Sequence, residues 1–176
     1  HRRYKYKIIF CSGIGITPFL SVIGTPSLAD QVLLIWSVNS MAIVEEFHQV
    51  LIMLKDIPNL DIVIFYSNSA RSINREITSD QWRQFYYAQQ IIHYRLRLDI
   101  VHGFNIPWLL LLARSNPKDI ISRYLEQMPH GAPALGIFVC SGSAYTQSIR
   151  RAANDLTRNY KKIKLDVWAE HLWWEW

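Results

Sequence analysis

An α/β fold with a doubly wound, mostly parallel sheet flanked by helices is predicted by three features of the 176-residue chain. Short runs rich in Val, Ile, Leu and aromatics alternate with amphipathic helical stretches, the pattern of strands that are covered on both faces. The first run passes through a glycine-bracketed turn straight into a helix start: Ile8-Ile9-Phe10-Cys11-Ser12-Gly13-Ile14-Gly15-Ile16-Thr17-Pro18. Half of the residues are hydrophobic and 19% are charged, which suits one domain with a substantial core and excludes a disordered tail.

The strand candidates, in order, are Lys7–Cys11, Val32–Val38, Asp61–Tyr66, Leu96–Val101, Leu135–Cys140 and Lys164–Trp168. Pro18–Ile23 reads as a short helix. Ile43–Leu54 carries Ile43, Val44, Phe47, Val50, Leu51 and Leu54 as a helical stripe. Asn116 is placed to cap Pro117–Met128, where Ile120, Ile121, Tyr124, Leu125 and Met128 recur at helical spacing. Ala144–Asn159 is the last helix. The stretch Ser67–Tyr94, polar and aromatic by turns, reads as an insertion or an extra helix, with Thr78-Ser79-Asp80 as a helix start. Ligands in open sheets of this class bind beyond the carboxyl ends of the strands, where the strand order reverses.

The first strand ends in such a place. Gly13 and Gly15 allow a tight bend and a close backbone approach to a ligand. Thr17 is suited to the N-cap and Pro18 to the first helical position. The amides of that helix start then face a phosphate. A plain turn before a helix is the competing explanation of this G-x-G-x-x-P run.

Charge and composition narrow the class. The net charge of +5 gathers in Arg2, Arg3, Lys5 and Lys7, and in Arg150, Arg151, Arg158, Lys161, Lys162 and Lys164. A solvated helix face explains the second group; an anionic cofactor or a lipid surface is the sharper reading. No recognition motif supports nucleic acid. Cys11 and Cys140 fall inside strands with no metal spacing, which fits a reducing compartment, and no metal site is proposed. The apolar run Ile106 to Ala113 is far shorter than the roughly 20 residues that span a bilayer. The chain opens on a core strand without an initiating Met or a signal peptide, which reads as a piece of a longer protein.

Four segments in order resemble the C-terminal NAD(P)H-binding domain of the ferric reductase and NADPH oxidase flavocytochromes, within the ferredoxin–NADP reductase superfamily. The first, Ser12-Gly13-Ile14-Gly15-Ile16-Thr17-Pro18-Phe19, is similar to the glycine loop that holds the dinucleotide pyrophosphate. The second, Leu34-Ile35-Trp36-Ser37-Val38-Asn39 followed by Glu45-Glu46-Phe47, resembles the second strand and the loop around the adenosine ribose. The third, Ile137 to Ser143, stands where the family has a C-G-P turn beside the nicotinamide. The fourth, Glu170 to Trp176, resembles the acidic residue and the terminal aromatic that stacks on the flavin.

By this resemblance, residues 1–176 form a dinucleotide-binding domain of a membrane flavocytochrome. Ser12 to Pro18, Ser37, Asn39, Gly142, Ser143 and Glu170 would contact cofactor, and Trp176, Ser141 and Cys140 would attend the reacting rings. An ungapped alignment puts Ser141 at the family's cysteine; a one-residue shift puts Cys140 there. The implied cofactor is NADPH, with NADH the alternative, while FAD and haem would be held by other parts of the parent protein. Hydride would pass to FAD, and electrons onward to ferric iron, copper or dioxygen. The partners implied are NAD(P)H, the parent's FAD-binding domain and, through the parent, the cytosolic face of a plasma or endoplasmic reticulum membrane. The isolated domain would turn nothing over. Where oxidases carry an arginine for the 2′-phosphate this chain has Asn39, and the G-R-P sought after the fourth strand is missing at Gly103-Phe104-Asn105. A degenerate docking or regulatory module and an unrelated soluble Rossmann-like enzyme stay open as alternatives.

Overall fold

The computed structural model describes residues 4–23, 30–54, 57–67, 109–111 and 115–170. Among these, β1 (Tyr6–Ser12) leads through a 3-10 turn (Gly13–Ile16) into α1 (Thr17–Ile23). Then come β2 (Gln31–Val38), α2 (Met41–Glu46), α3 (His48–Leu54), β3 (Leu60–Tyr66) and β4 (Leu109–Leu111). The chain continues as α4 (Pro117–Gln127), β5 (Ala134–Cys140), α5 (Ser143–Asn159) and β6 (Lys164–Glu170). The described strands form one six-stranded sheet in the order β4-β3-β2-β1-β5-β6. Every pairing in it is parallel.

The order of the strands follows from two-sided burial. Neighbouring strands β1, β2, β3 and β5 are apolar at nearly every position, because each needs a helix layer on both faces. Successive side chains alternate between faces. By register, Ile8, Phe10, Leu33, Ile35, Val63, Ile137 and Val139 share one face, and Ile9, Cys11, Leu34, Trp36, Ile64 and Phe138 the other. Helix α5 packs on the first face: its Tyr145 ring stands edge-on to Phe10, centroids 6.2 Å apart. The second face carries Phe47, between α2 and α3, whose ring meets Trp36 edge-on at 5.7 Å. Tyr4 closes the same face over β5 and β6. Its hydroxyl donates to Asp166 at 2.6 Å, and its ring lies where a Cβ at Gly136 would come within 2.7 Å. Lys7, buried on this face, is neutralised by Asp30.

Several elements differ from the sequence reading. The helical stripe expected over Ile43–Leu54 is two short helices that meet at Phe47, although Phe47 N–H still reaches Ile43 O and Leu51 N–H reaches Phe47 O. Among the described residues a further strand forms at Leu109–Leu111, inside the run Ile106 to Ala113; a purely apolar stretch carries no period to tell strand from helix. Leu96–Val101 and nearly all of Ser67–Tyr94 lie outside the described residues. Asn116 does cap α4: its Oδ1 accepts from Lys118 N–H at 3.1 Å, with Pro117 opening the helix behind it.

At the amino ends of β2 and β3 a cavity of about 360 Å³ is lined by Gln31, Asn59, Asp61, Tyr124 and Met128. Tyr124 hydroxyl donates there to Gln31 O at 3.1 Å. Burial raises the Asp61 carboxyl above the usual carboxylate range. Between the ordinary and the raised pKa the folded chain holds a proton that the unfolded chain has released, so stability falls as pH rises through that window. Asp61→Asn therefore raises stability at pH 7 and flattens its acid-range slope. Urea melts from pH 4 to 7 check this; parallel curves for the two proteins would refute it.

Candidate functional site

The strand order reverses between β1 and β5. From β1 the chain builds outward through β2, β3 and β4, then crosses back to lay β5 against the other edge of β1. The helices that follow these two strands leave in opposite directions, and a crevice opens beyond the strand ends. Ser12 and Gly13 stand at the end of β1; Cys140, Ser141 and Gly142 stand at the end of β5.

The glycine turn is built differently from a simple cap. Ser12 is the extended residue that opens it (φ −133°, ψ 140°), and its side chain caps nothing. Gly13 then takes φ +51°, a left-handed value that costs other residues about 1 kcal/mol or more. A Cβ there would meet nothing within 4 Å, so this glycine borders open space. Gly15 does the opposite work. A Cβ on it would fall 2.3 Å from the Cys140 carbonyl oxygen, so the turn is pressed onto the end of β5. Ile14, between them, is 58% exposed at the tip, while Ile16 is buried.

Thr17 is not the N-cap. It already has helical angles (φ −57°, ψ −43°), and its hydroxyl donates to Ile14 O at 2.9 Å. Thr17 backbone N–H donates to the same carbonyl, so residue 17 holds Ile14 O with two bonds, and the missing N–H of Pro18 leaves that carbonyl still satisfied. Pro18 accordingly sits at the second position of α1 rather than the first.

Trp36 holds the turn from the side. Its indole N–H donates to Gly13 O at 2.7 Å, and the ring is fully buried. The signal for this role in the sequence is the residue type alone: a buried tryptophan must place its indole N–H somewhere.

On the β5 side, Cys140 and Ser141 are buried, and the Ser141 hydroxyl pairs with Thr146 Oγ1 at 3.2 Å. Burial and the nearby Cys140 push the Cys11 thiol up, so it stays protonated at neutral pH. Gly142 and Ser143 are exposed. Gly142 immediately precedes α5, provides no side-chain cap, and has φ −58°, with nothing within 4 Å of a Cβ built on it. The 17-residue helix therefore starts beside the end of β5 with no side-chain cap from the residue before it.

At the end of β2, Ser37 is half-buried and Asn39 is exposed. Ser37 hydroxyl lies 3.2 Å from Ser115 Oγ, which in turn hydrogen-bonds the Tyr145 hydroxyl. Nothing in the sequence linked these three residues. Glu170 ends β6, and Trp176 lies outside the described residues. The described strand Leu109–Leu111 is followed in sequence by Arg114. Arg114 itself is outside the described residues. No group of three or more metal-ligating side chains occurs among the described residues, and no described helix is long and apolar enough to cross a membrane.

The family model of the ferric reductase NAD binding domain matches residues 4–154. The chain belongs to that family. The match runs from β1 well into α5, so both sides of the crevice fall within it. Among solved structures, one that the chain resembles is the flavohemoglobin of Malassezia yamatoensis with bound FAD and haem, at 12% identity and a TM-score of 0.48. That similarity covers 94% of this chain and 32% of the flavohemoglobin. No curated protein matches the chain.

Proposed function

We propose that this chain holds NAD(P)H along the carboxyl edge of its sheet and presents the nicotinamide to an FAD carried elsewhere in a larger reductase. The observation that carries the reading is the pair of glycines across the switch point. Gly13 and Gly142 both face open space, each at the start of a helical turn that carries no side-chain cap. A pyrophosphate needs such a cradle: room for its oxygens, N–H donors, and no Cβ in between.

When bound, the nicotinamide supplies a hydride to flavin; the work left to this chain is placement. Gly13 and Ile14 border the pyrophosphate, with Gly15 fixing their height above β5. Ser37 and Asn39 sit at the ribose end. Asn39 offers an amide, not a guanidinium, so it bonds hydroxyls without a charge-assisted pair to a 2′-phosphate. Discrimination between NADPH and NADH is accordingly modest in this reading. Gly142 and Ser143 border the nicotinamide, while Cys140 and Ser141 shape the floor from beneath. By the family resemblance, Glu170 and Trp176 would belong to the flavin side. In the parent protein this domain would lie on the cytosolic face of a plasma or endoplasmic reticulum membrane, with haem carrying electrons to iron, copper or dioxygen.

Gly142→Val tests the reading with little risk to the fold, since its φ suits any residue and its Cβ meets nothing. The expected result is an unchanged melting curve and at least a tenfold loss of affinity for NADPH by calorimetry. A folded variant that binds as wild type does would move the nucleotide away from this crevice and favour the docking-module alternative.

A further inference from the structure

The hydroxyl chain Ser37–Ser115–Tyr145 joins three parts of the fold that meet nowhere else in sequence. Ser37 belongs to the end of β2, Ser115 to the segment entering α4, and Tyr145 to the first turn of α5. Phe10 holds the Tyr145 ring edge-on at 6.2 Å, which leaves the phenol oxygen committed to the serines. Ser12 pairs with Ser37 in register, so the chain begins directly beside the glycine turn.

We infer that Ser115 and Tyr145 are positioning residues that couple the adenosine end of a bound dinucleotide to its nicotinamide end. The inference rests on the nucleotide reading above and adds the internal link between its two halves. Each of the three hydroxyls both donates and accepts, so a bond gained at one end changes what the next has to offer. A ribose hydroxyl that bonds Ser37 strengthens the set of bonds ending at Tyr145. Tyr145 is the third residue of the helix whose uncapped first turn faces the other half of the ligand. Burial raises the Tyr145 pKa more than its serine bonds lower it, so the phenol keeps its proton at neutral pH and the chain stays intact.

Half-ligands test the coupling. In the wild-type chain AMP binds more tightly when nicotinamide mononucleotide is saturating, by a factor between about two and ten, the worth of one hydrogen bond. In Tyr145→Phe and in Ser115→Ala that factor falls to one, while AMP alone binds within twofold of wild type. Phe10→Leu, which loosens the same packing without touching a hydroxyl, keeps the factor and lowers only the melting temperature. Ser115→Ala keeps the test intact should Tyr145→Phe fail to fold. A factor of one in the wild type, or an unchanged factor in both hydroxyl variants, overturns the inference and leaves the nucleotide site standing. Failure of AMP and ADP-ribose to bind the wild type at all would remove the site and the coupling together.

Discussion

Gly15→Val strongly destabilises the fold. An added Cβ would sit 2.3 Å from the Cys140 carbonyl oxygen and 3.2 Å from its carbonyl carbon, and both are backbone atoms of a central strand. No rotamer change relieves such a contact; either the glycine turn lifts or β5 slides against β1. The two strands pair over six registered positions ending at Cys11–Cys140, so either movement strips hydrogen bonds from the middle of the sheet. Overpacking in a well-packed core costs about 1–3 kcal/mol, and contact with fixed backbone belongs at or above the top of that range. Against a total of roughly 5–15 kcal/mol for a domain, this is enough to move the midpoint of a urea melt well below that of wild type. Gly15→Ala already carries the offending atom and shows most of the effect. Gly13→Ala, by contrast, meets no atom and bears only the left-handed φ, so it stays folded with a loss near 1 kcal/mol. Equal stability of Gly15→Val and Gly13→Ala would show that the close approach to Cys140 is not a packing constraint.

The contrast between these glycines marks what a sequence can and cannot say. The pattern Gly13-x-Gly15 announced a turn that something approaches closely, but not which glycine borders open space and which meets protein. That distinction depends on β5, more than a hundred residues away. The cap on α4 was legible because Asn116 acts on an amide two residues on. Thr17 looked like the same kind of cap and was not, because Ser12 had already opened the turn and Thr17 stands at its end, with its backbone N–H and its hydroxyl both on Ile14 O. Strands β1, β2, β3 and β5 were legible from their unbroken apolar runs, since parallel strands covered on both faces need them. Leu109–Leu111 was not, because three leucines carry no period. The Ser37–Ser115–Tyr145 chain is a purely tertiary feature that no local pattern encodes.

Trp36→Phe separates the placement of the glycine turn from the stability of the core. The indole lies at the register position of Cys11, two residues short of Gly13, and reaches forward to give its N–H to the Gly13 carbonyl. Phenylalanine keeps the contact with Phe47 but has no donor and leaves part of the indole volume empty. The lost bond and the small void together cost about 1–3 kcal/mol in a urea melt. Without its tether the Gly13 carbonyl loses its side-chain partner, and the left-handed Gly13 is freer to relax toward commoner angles. Affinity for ADP-ribose then falls by about two- to tenfold, because the cradle must be re-formed at the moment of binding. Phe47→Leu is the control: it opens a comparable gap against the same indole, yet leaves the N–H on Gly13 in place. It loses stability and keeps its affinity. If the two variants lose affinity in proportion to their loss of stability, Trp36 acts on the ligand only through packing; if Trp36→Phe alone weakens binding, the single hydrogen bond from β2 to Gly13 O sets the shape of the site.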